Sequence, residues 1–176
     1  NNRLSAGEYI ILCSSTLEAT NKTVPFFNGD ILLVYNYANL DMVNGPNQNA
    51  GNFTLCARQP EKNDPARILN APCFLPNILS GPYWVLAAGP SSYNYSRAIV
   101  SGGEPNITYK DGNCSTSEKG INGSGLWLFT RERTGEFAME SVTAMRNYLI
   151  SYGITTSQLL NVSQTGCNYT GAYIKS

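Results

Sequence analysis

The chain has 176 residues, enough for one domain with a sizeable core, and its 12 basic and 12 acidic residues leave no net charge. It contains no histidine, which excludes Ser-His-Asp and Cys-His catalytic arrangements and zinc sites built on imidazole. Neutrality provides no steering toward nucleic acid, and no apolar run reaches the roughly 18 residues that a membrane helix needs. We therefore expect one domain over residues 1–176, with no catalytic residues, metal site, nucleic-acid partner or membrane span.

The first half of the chain contains short runs of branched and aromatic residues that are bounded by turn-forming residues. Such runs are typical of buried strands. The second run is short and contains a proline, which fits an edge strand, whereas the polar residues 14–22 predict a loop. The five strand candidates of this half lie at residues 7–13, 23–27, 30–37, 52–58 and 66–75.

Three further strand candidates follow, at residues 81–89, 95–102 and 125–131. The link between the first two is short and polar, so it predicts an antiparallel hairpin. The third run fits as another strand of the same sheet, after a long, glycine-rich stretch from Gly102 to Gly125. The two tryptophans of the chain, Trp84 and Trp127, lie in the middle of these candidates.

Residues 136–152 have the period of an amphipathic helix. The apolar positions recur at spacings of three and four, namely Val142, Met145, Leu149 and Tyr152. Thr134 is a candidate N-cap, and Gly153 stands where a glycine ends a helix. Because the apolar stripe is narrow, we expect this helix to lie on the flank of the sheet.

Eight Asn-x-Ser/Thr sequons and five cysteines indicate a secreted, N-glycosylated protein with disulfide bonds. The cysteines fit two disulfides and one unpaired thiol, and they show no CxxC spacing that would indicate a metal or redox site. The sequons lie at Asn21, Asn52, Asn94, Asn106, Asn113, Asn122, Asn161 and Asn168.

Four segments in order resemble the lipocalin family, with the greatest similarity to the apolipoprotein D and bacterial lipocalin branch. They are Pro-Tyr-Trp-Val-Leu at 82–86, Tyr-x-x-Ala-Ile-Val-Ser-Gly at 95–102, Leu-Trp-Leu-Phe-Thr-Arg at 126–131 and, after the helix, Tyr-Gly-Ile-x-x-Ser-x-Leu at 152–159. The likeness extends over about residues 52–167. It implies an all-β fold: an eight-stranded antiparallel up-and-down barrel, or calyx, with one C-terminal flanking α-helix.

Individual residues match family motifs to different degrees. Tyr93 and Tyr95 stand where the family has Thr-Asp-Tyr, and Arg131 matches the arginine that closes the last strand. Gly7-Glu8-Tyr9 resembles the first motif, Gly-x-Trp, with tyrosine in place of tryptophan. Alternatively, Cys13 matches the cysteine that opens the second strand, and the first strand is then missing. We favour the first alignment, because a barrel that lacks a strand exposes an edge.

The resemblance implies a cavity for one small apolar molecule, which an eight-stranded barrel is wide enough to hold. It places Trp127 and Phe129 inward and leaves Leu126 and Leu128 to pack under the helix. Alternation then adds further inward positions. The alternative for each is to fill a closed core. The candidate ligand-binding residues are Tyr9, Leu33, Tyr35, Tyr37, Phe53, Trp84, Leu86, Ala88, Trp127 and Phe129. For Phe53, which shares a face with Leu55, the sequence does not decide which face that is.

The cysteines leave several alternatives open. The family resemblance suggests a disulfide between Cys73 and Cys167 that ties the tail to the barrel wall, or one in which Cys56 takes that role. If Tyr9 points inward, so does Cys13, and its thiol could then anchor a reactive chromophore such as a bilin. The alternatives are a disulfide or an inert buried thiol.

These features favour a secreted carrier of a hydrophobic ligand or pigment, with no required cofactor. Retinoids, carotenoids, tetrapyrroles, steroids and fatty acids are all candidates. A second hypothesis is a protein-binding glycoprotein with a filled barrel and the 102–125 loop as its contact surface. A third is an isomerase-like lipocalin with Cys13 as its reactive group. The sequence leaves open whether the chain forms a homo-oligomer.

Overall fold

The computed structural model describes residues 10–20, 22–40, 42–45, 55–91, 94–117 and 124–170, with the backbone alone at residues 10–19, 37–40 and 94. The chain forms two compact units. The first contains the described residues up to Ser80 and from Asn161 onward, and the second is Gly81–Leu160. Both are built on antiparallel strands, and the second carries one α-helix among the described residues.

The first unit contains four antiparallel strands in the order β1-β2-β3-β4. They are β1 (Ile10–Ala19), β2 (Ile31–Leu40), β3 (Leu55–Arg58) and β4 (Arg67–Pro72). The long apolar run predicted at residues 30–37 becomes β2, which pairs with β1 on one side and β3 on the other. Partners on both sides leave β2 without a free edge. The successive residues Val34 and Tyr35 are both buried, so both faces of β2 are covered at that point, which fits its apolar sequence.

Two expectations for this unit are wrong. The polar residues 14–19 are part of β1 rather than a loop, because β2 offers backbone partners along its whole length, as far as Ala19 opposite Leu32. Residues 23–27 form a tight turn instead of an edge strand. The Phe27 N–H donates to the Val24 carbonyl at 3.2 Å, and Phe26 between them has a φ of 59°.

The second unit contains β5 (Gly81–Ser91), β6 (Asn94–Ser101) and β9 (Leu126–Thr130) in the order β5-β6-β9. The predicted hairpin and its third strand are both confirmed. The intervening segment forms a two-stranded ribbon of β7 (Ile107–Thr108) and β8 (Cys114–Ser115). The Cys114 N–H donates to the Gly153 carbonyl at 2.8 Å, which ties the ribbon to the end of the helix.

Helix α1 spans Glu136–Ser151, in agreement with the apolar period. Met145 and Leu149 are buried against Ile99 of β6. Tyr152, by contrast, is exposed, because the helix has ended before it. Gly153 has a φ of 72°, as expected of the glycine that ends a helix. At the start, Gly135 occupies the cap position without a side-chain cap, so the prediction of Thr134 as N-cap is wrong.

The fold class is therefore confirmed at the level of antiparallel strands followed by one C-terminal helix. The closure of eight strands into a barrel stays a prediction. Within the part of the chain that the structure describes, no helix is both long enough and apolar enough to cross a membrane.

Candidate ligand-binding site

One face of the β5–β6–β9 sheet packs under α1. Residues directly opposite each other in an antiparallel pair lie on the same face. Leu128 of β9 pairs with Ile99 of β6, and both pack with Met145 and Leu149 of the helix. Leu126 belongs to the same cluster. This face is core, as predicted for the two leucines of β9.

The opposite face carries two aromatic rings in contact. Trp127 pairs with Val100, and Val100 pairs with Val85. Tyr83, two residues before Val85, lies on the same side, and its ring stacks on that of Trp127 with centroids 6.5 Å apart and an interplanar angle of 21°. Phe129 lies two residues after Trp127 on the same side. We call this surface the aromatic face; its residues are Tyr83, Val85, Ala88, Ala98, Val100, Trp127 and Phe129.

Gly125 makes room for the ring of Trp127. A Cβ atom at Gly125 would lie 2.4 Å from the indole ring, a distance that real contacts do not allow. Gly125 also has a φ of 101°, a conformation that side-chain-bearing residues rarely adopt. The indole therefore lies back over the glycine backbone.

The aromatic face carries two polar groups, the hydroxyl of Tyr83 and the indole N–H of Trp127. Burial raises the pKa of Tyr83 to about 12, because the phenolate would lose its hydration. At neutral pH the group is a neutral hydroxyl that can donate one hydrogen bond. A carbonyl or carboxylate oxygen on an apolar molecule would be a suitable acceptor. The sequence analysis does not identify Tyr83 as a site residue. Tyr83 lies two residues before Val85, which pairs with Val100, the partner of Trp127.

Three residues of β5 were predicted to face inward beside Trp127, and the structure separates them. Trp84 pairs with Ser101, which pairs with Leu126, so Trp84 lies on the helix side of the sheet. Leu86 also packs into the core under the helix. Ala88 pairs with Ala98 and lies on the aromatic face. The cause is a register shift between Val85 and Ala87, which interrupts strict alternation. The prediction that both tryptophans line one cavity is therefore wrong.

In the first unit, Leu33 and Tyr35 share a face of the sheet. Leu33 pairs with Cys56, and Tyr35, which is buried, follows on the same side. The prediction that these two residues face the same way is confirmed. Leu55 pairs with Val34 and thus lies on the opposite face. Two predicted ligand-binding residues, Tyr9 and Phe53, lie outside the described residues, as does the side chain of Tyr37.

Sequence reasoning also missed Arg58, whose side chain is completely buried. Its guanidinium donates to the carbonyls of Pro72 and Leu75, both at 2.8 Å, and to the hydroxyl of Ser80. Burial lowers the pKa of Arg58 from its ordinary value. The Nε atom has no hydrogen-bond partner. Arg58 thus holds the segment between the end of β4 and the start of β5. We call this segment, residues 72–80, the 72–80 loop.

The predicted bond between Cys73 and Cys167 is wrong, because Cys73 is bonded to Cys56 with a Cα–Cα distance of 4.9 Å. The register explains this pairing. Cys56 pairs with Ala71, so Cys73 emerges from the strand close to it. Cys167 and Cys114 are free thiols in the structure. The side chain of Cys13 lies outside the described residues, so its predicted inward orientation stays a prediction.

The described sequons differ in accessibility. Asn106, Asn161 and Asn168 are exposed, whereas Asn113 is half-buried and donates its amide N–H to Asp111 at 2.9 Å. Asn21, Asn52 and Asn122 lie outside the described residues, as does the side chain of Asn94. Glycans on the three exposed asparagines would project into solvent.

Arg131 ends the last strand, as the family resemblance suggested. Its backbone N–H donates to the Ser96 carbonyl at 2.8 Å, and its exposed guanidinium donates to the Tyr95 carbonyl. The two contacts join β9 to β6. Tyr93, which the resemblance places in the loop of the Thr-Asp-Tyr motif, lies outside the described residues.

No family model, curated protein or solved structure matches this chain. The resemblance to lipocalins therefore stays a prediction based on the sequence segments. Among the described residues, no group of three or more acidic, cysteine or histidine side chains could hold a metal ion. The aromatic face combines stacked rings with one neutral hydroxyl, and this chemistry suits binding of a flat apolar molecule.

Proposed function

We propose that this protein binds and carries a small hydrophobic molecule in an eight-stranded, lipocalin-like barrel, and that it does so outside the cell. The observation that carries the proposal is the half-buried Tyr83–Trp127 stack on the sheet face that α1 does not cover. Aromatic rings that are neither fully buried nor scattered on the surface are typical of ligand sites.

The energetics of such a site favour an apolar ligand. Removing apolar surface from water contributes about 25 cal/mol per Å², so a ligand that hides a few hundred Å² gains several kcal/mol before the cost of association. Micromolar affinity needs no ion pair. The hydroxyl of Tyr83 would orient a ligand that carries one carbonyl or carboxylate.

Two features support an extracellular location. The Cys56–Cys73 disulfide is of the kind that persists in oxidising compartments. Three sequon asparagines are exposed, so glycans on them would project into solvent.

The experiment uses the two tryptophans as separate reporters. Trp84→Phe leaves Trp127 as the emitter on the aromatic face, and Trp127→Phe leaves Trp84 on the helix side. We titrate each variant with oleic acid and with progesterone. Neither absorbs where tryptophan emits, so quenching requires contact rather than energy transfer. We expect quenching of the Trp127 emission and little change in the Trp84 emission.

Affinity provides a second readout. Trp127→Ala should weaken binding at least about tenfold, equivalent to about 1.4 kcal/mol, while Trp84→Phe leaves it unchanged. Retinol, carotenoid and bilin probes are then tested by displacement. If none of these classes binds the native protein, the carrier proposal fails. The hypothesis of a filled barrel that acts through protein contacts would then take its place.

A further inference from the structure

The 72–80 loop has an inverted distribution of polar and apolar side chains. Phe74, Ile78 and Leu79 are 71%, 90% and 55% exposed. In the same loop, the Oδ1 atom of Asn77 is buried, and Ser80 is half-buried beside Arg58. A surface loop in water ordinarily buries its large apolar side chains and exposes its amides and hydroxyls.

A disulfide and several hydrogen bonds hold the loop in this arrangement. The Cys56–Cys73 disulfide fixes the start of the loop. The guanidinium of Arg58, on β3, donates hydrogen bonds to two carbonyls of the loop and to the Ser80 hydroxyl. The loop also contains a 3-10 turn at Asn77–Leu79. Because the loop is braced by a covalent bond and polar contacts, its apolar side chains are left free to contact something else.

The composition of the loop indicates what that contact is. No charged residue occurs between residues 68 and 96, whereas the rim of a protein interface is polar and often charged. The loop carbonyls of Pro72, Leu75, Pro76 and Asn77 all accept hydrogen bonds from the protein itself. Because these four carbonyls are already hydrogen-bonded and the loop carries no charge, its entry into a lipid interface costs less desolvation than that of a charged or unpaired segment.

We propose that the 72–80 loop docks the protein onto a zwitterionic phospholipid surface, which has no net charge, by inserting Phe74, Ile78 and Leu79 among the lipid chains. The neutral net charge of the protein fits a zwitterionic surface rather than an anionic one. This inference does not depend on the proposed ligand, since docking requires no occupied cavity.

The test uses the full chain without added ligand and vesicles of phosphatidylcholine. The double variant Phe74→Ser/Ile78→Ser removes two of the three exposed apolar groups. Phe26→Asn is the matched control: Phe26 is 100% exposed, in the turn between β1 and β2 at the other end of the same antiparallel sheet. Its φ of 59° is one that asparagine tolerates. Far-UV circular dichroism checks that each variant is folded.

We expect the wild type and Phe26→Asn to float with the vesicles, and the double variant to show a vesicle-bound fraction lower by at least about tenfold. Equal flotation of the double variant, or no flotation of the wild type, overturns the proposal. Binding that requires phosphatidylserine also overturns it, because charge rather than the loop would then drive docking. If light scattering instead shows a dimer that the double variant abolishes, the loop is an interface between two copies of this chain and the lipid proposal is wrong.

Discussion

Arg58 provides the sharpest test of what holds the first unit together. Arg58→Met keeps a long apolar stem and removes the guanidinium, which donates to two carbonyls and one hydroxyl. Bonds from a charged donor contribute about 1.5 kcal/mol each at the lower end of their range, so three amount to roughly 4 to 5 kcal/mol. Relief of the guanidinium's desolvation offsets part of this loss. We expect a net destabilisation of about 3 kcal/mol.

Arg67→Met is the matched control, because it makes the same substitution on an exposed arginine. Arg67 forms a surface ion pair with Asp64 at 2.9 Å, and such pairs contribute about 0.5 kcal/mol. The assay is urea unfolding followed by far-UV circular dichroism, with the wild type and both variants in the same buffer. If Arg58→Met loses no more stability than Arg67→Met, desolvation cancels the hydrogen bonds and the loop is held by other contacts.

Three further predictions concern other parts of the chain. Cys56→Ala/Cys73→Ala should lower the free energy of unfolding by about 3 kcal/mol, because the disulfide closes a loop with a sequence separation of 17; an unchanged urea midpoint would contradict this. The pKa of Tyr83 is raised to about 12, so the folded state holds the phenol proton more tightly than the unfolded state does. The stability that depends on this proton is therefore complete below about pH 10, and the free energy of unfolding falls as the pH rises from 10 toward 12. Tyr83→Phe should remove this alkaline loss, measured by urea unfolding across that range, and an identical pH profile would refute the assignment. Treatment of the native glycoprotein with an endoglycosidase should lower its apparent mass by several kilodaltons, and mapping of the released sites should find the exposed sequons Asn106, Asn161 and Asn168. An unchanged mass would remove the main support for secretion.

The candidate site could be predicted only in part, because alternation fails wherever a strand is irregular. On β9 no register shift occurs. The structure confirms that Trp127 and Phe129 lie on one face of the strand and that Leu126 and Leu128 lie on the other, under the helix. On β5 the register shift after Val85 moves the phase by one residue. No local pattern marks that shift. Strict alternation along β5 therefore predicts the wrong face for Trp84 and does not identify Tyr83.

Contacts between strands also could not be predicted from the sequence. Cys56 and Cys73 come together because β3 and β4 pair in a register that sets Cys56 opposite Ala71. From the sequence alone, an arginine in a strand is expected at the surface. The carbonyls that accept hydrogen bonds from the buried Arg58 belong to residues 14 and 17 positions later in the chain. Phe74 and Ile78 are exposed, although the sequence alone predicts apolar residues of this size in the core.

The features that can be predicted from the sequence alone are local. Runs of branched residues marked β2 and the β5–β6–β9 strands, a period of 3.6 marked α1, and Gly153 marked its end. Each of these signals comes from backbone sterics or from one amphipathic element, so a short window of residues contains it. The strand register, the disulfide pairing and the orientation of each sheet face are set by tertiary contacts. These depend on which distant residues meet, and burial of a side chain is a property of its neighbours in space.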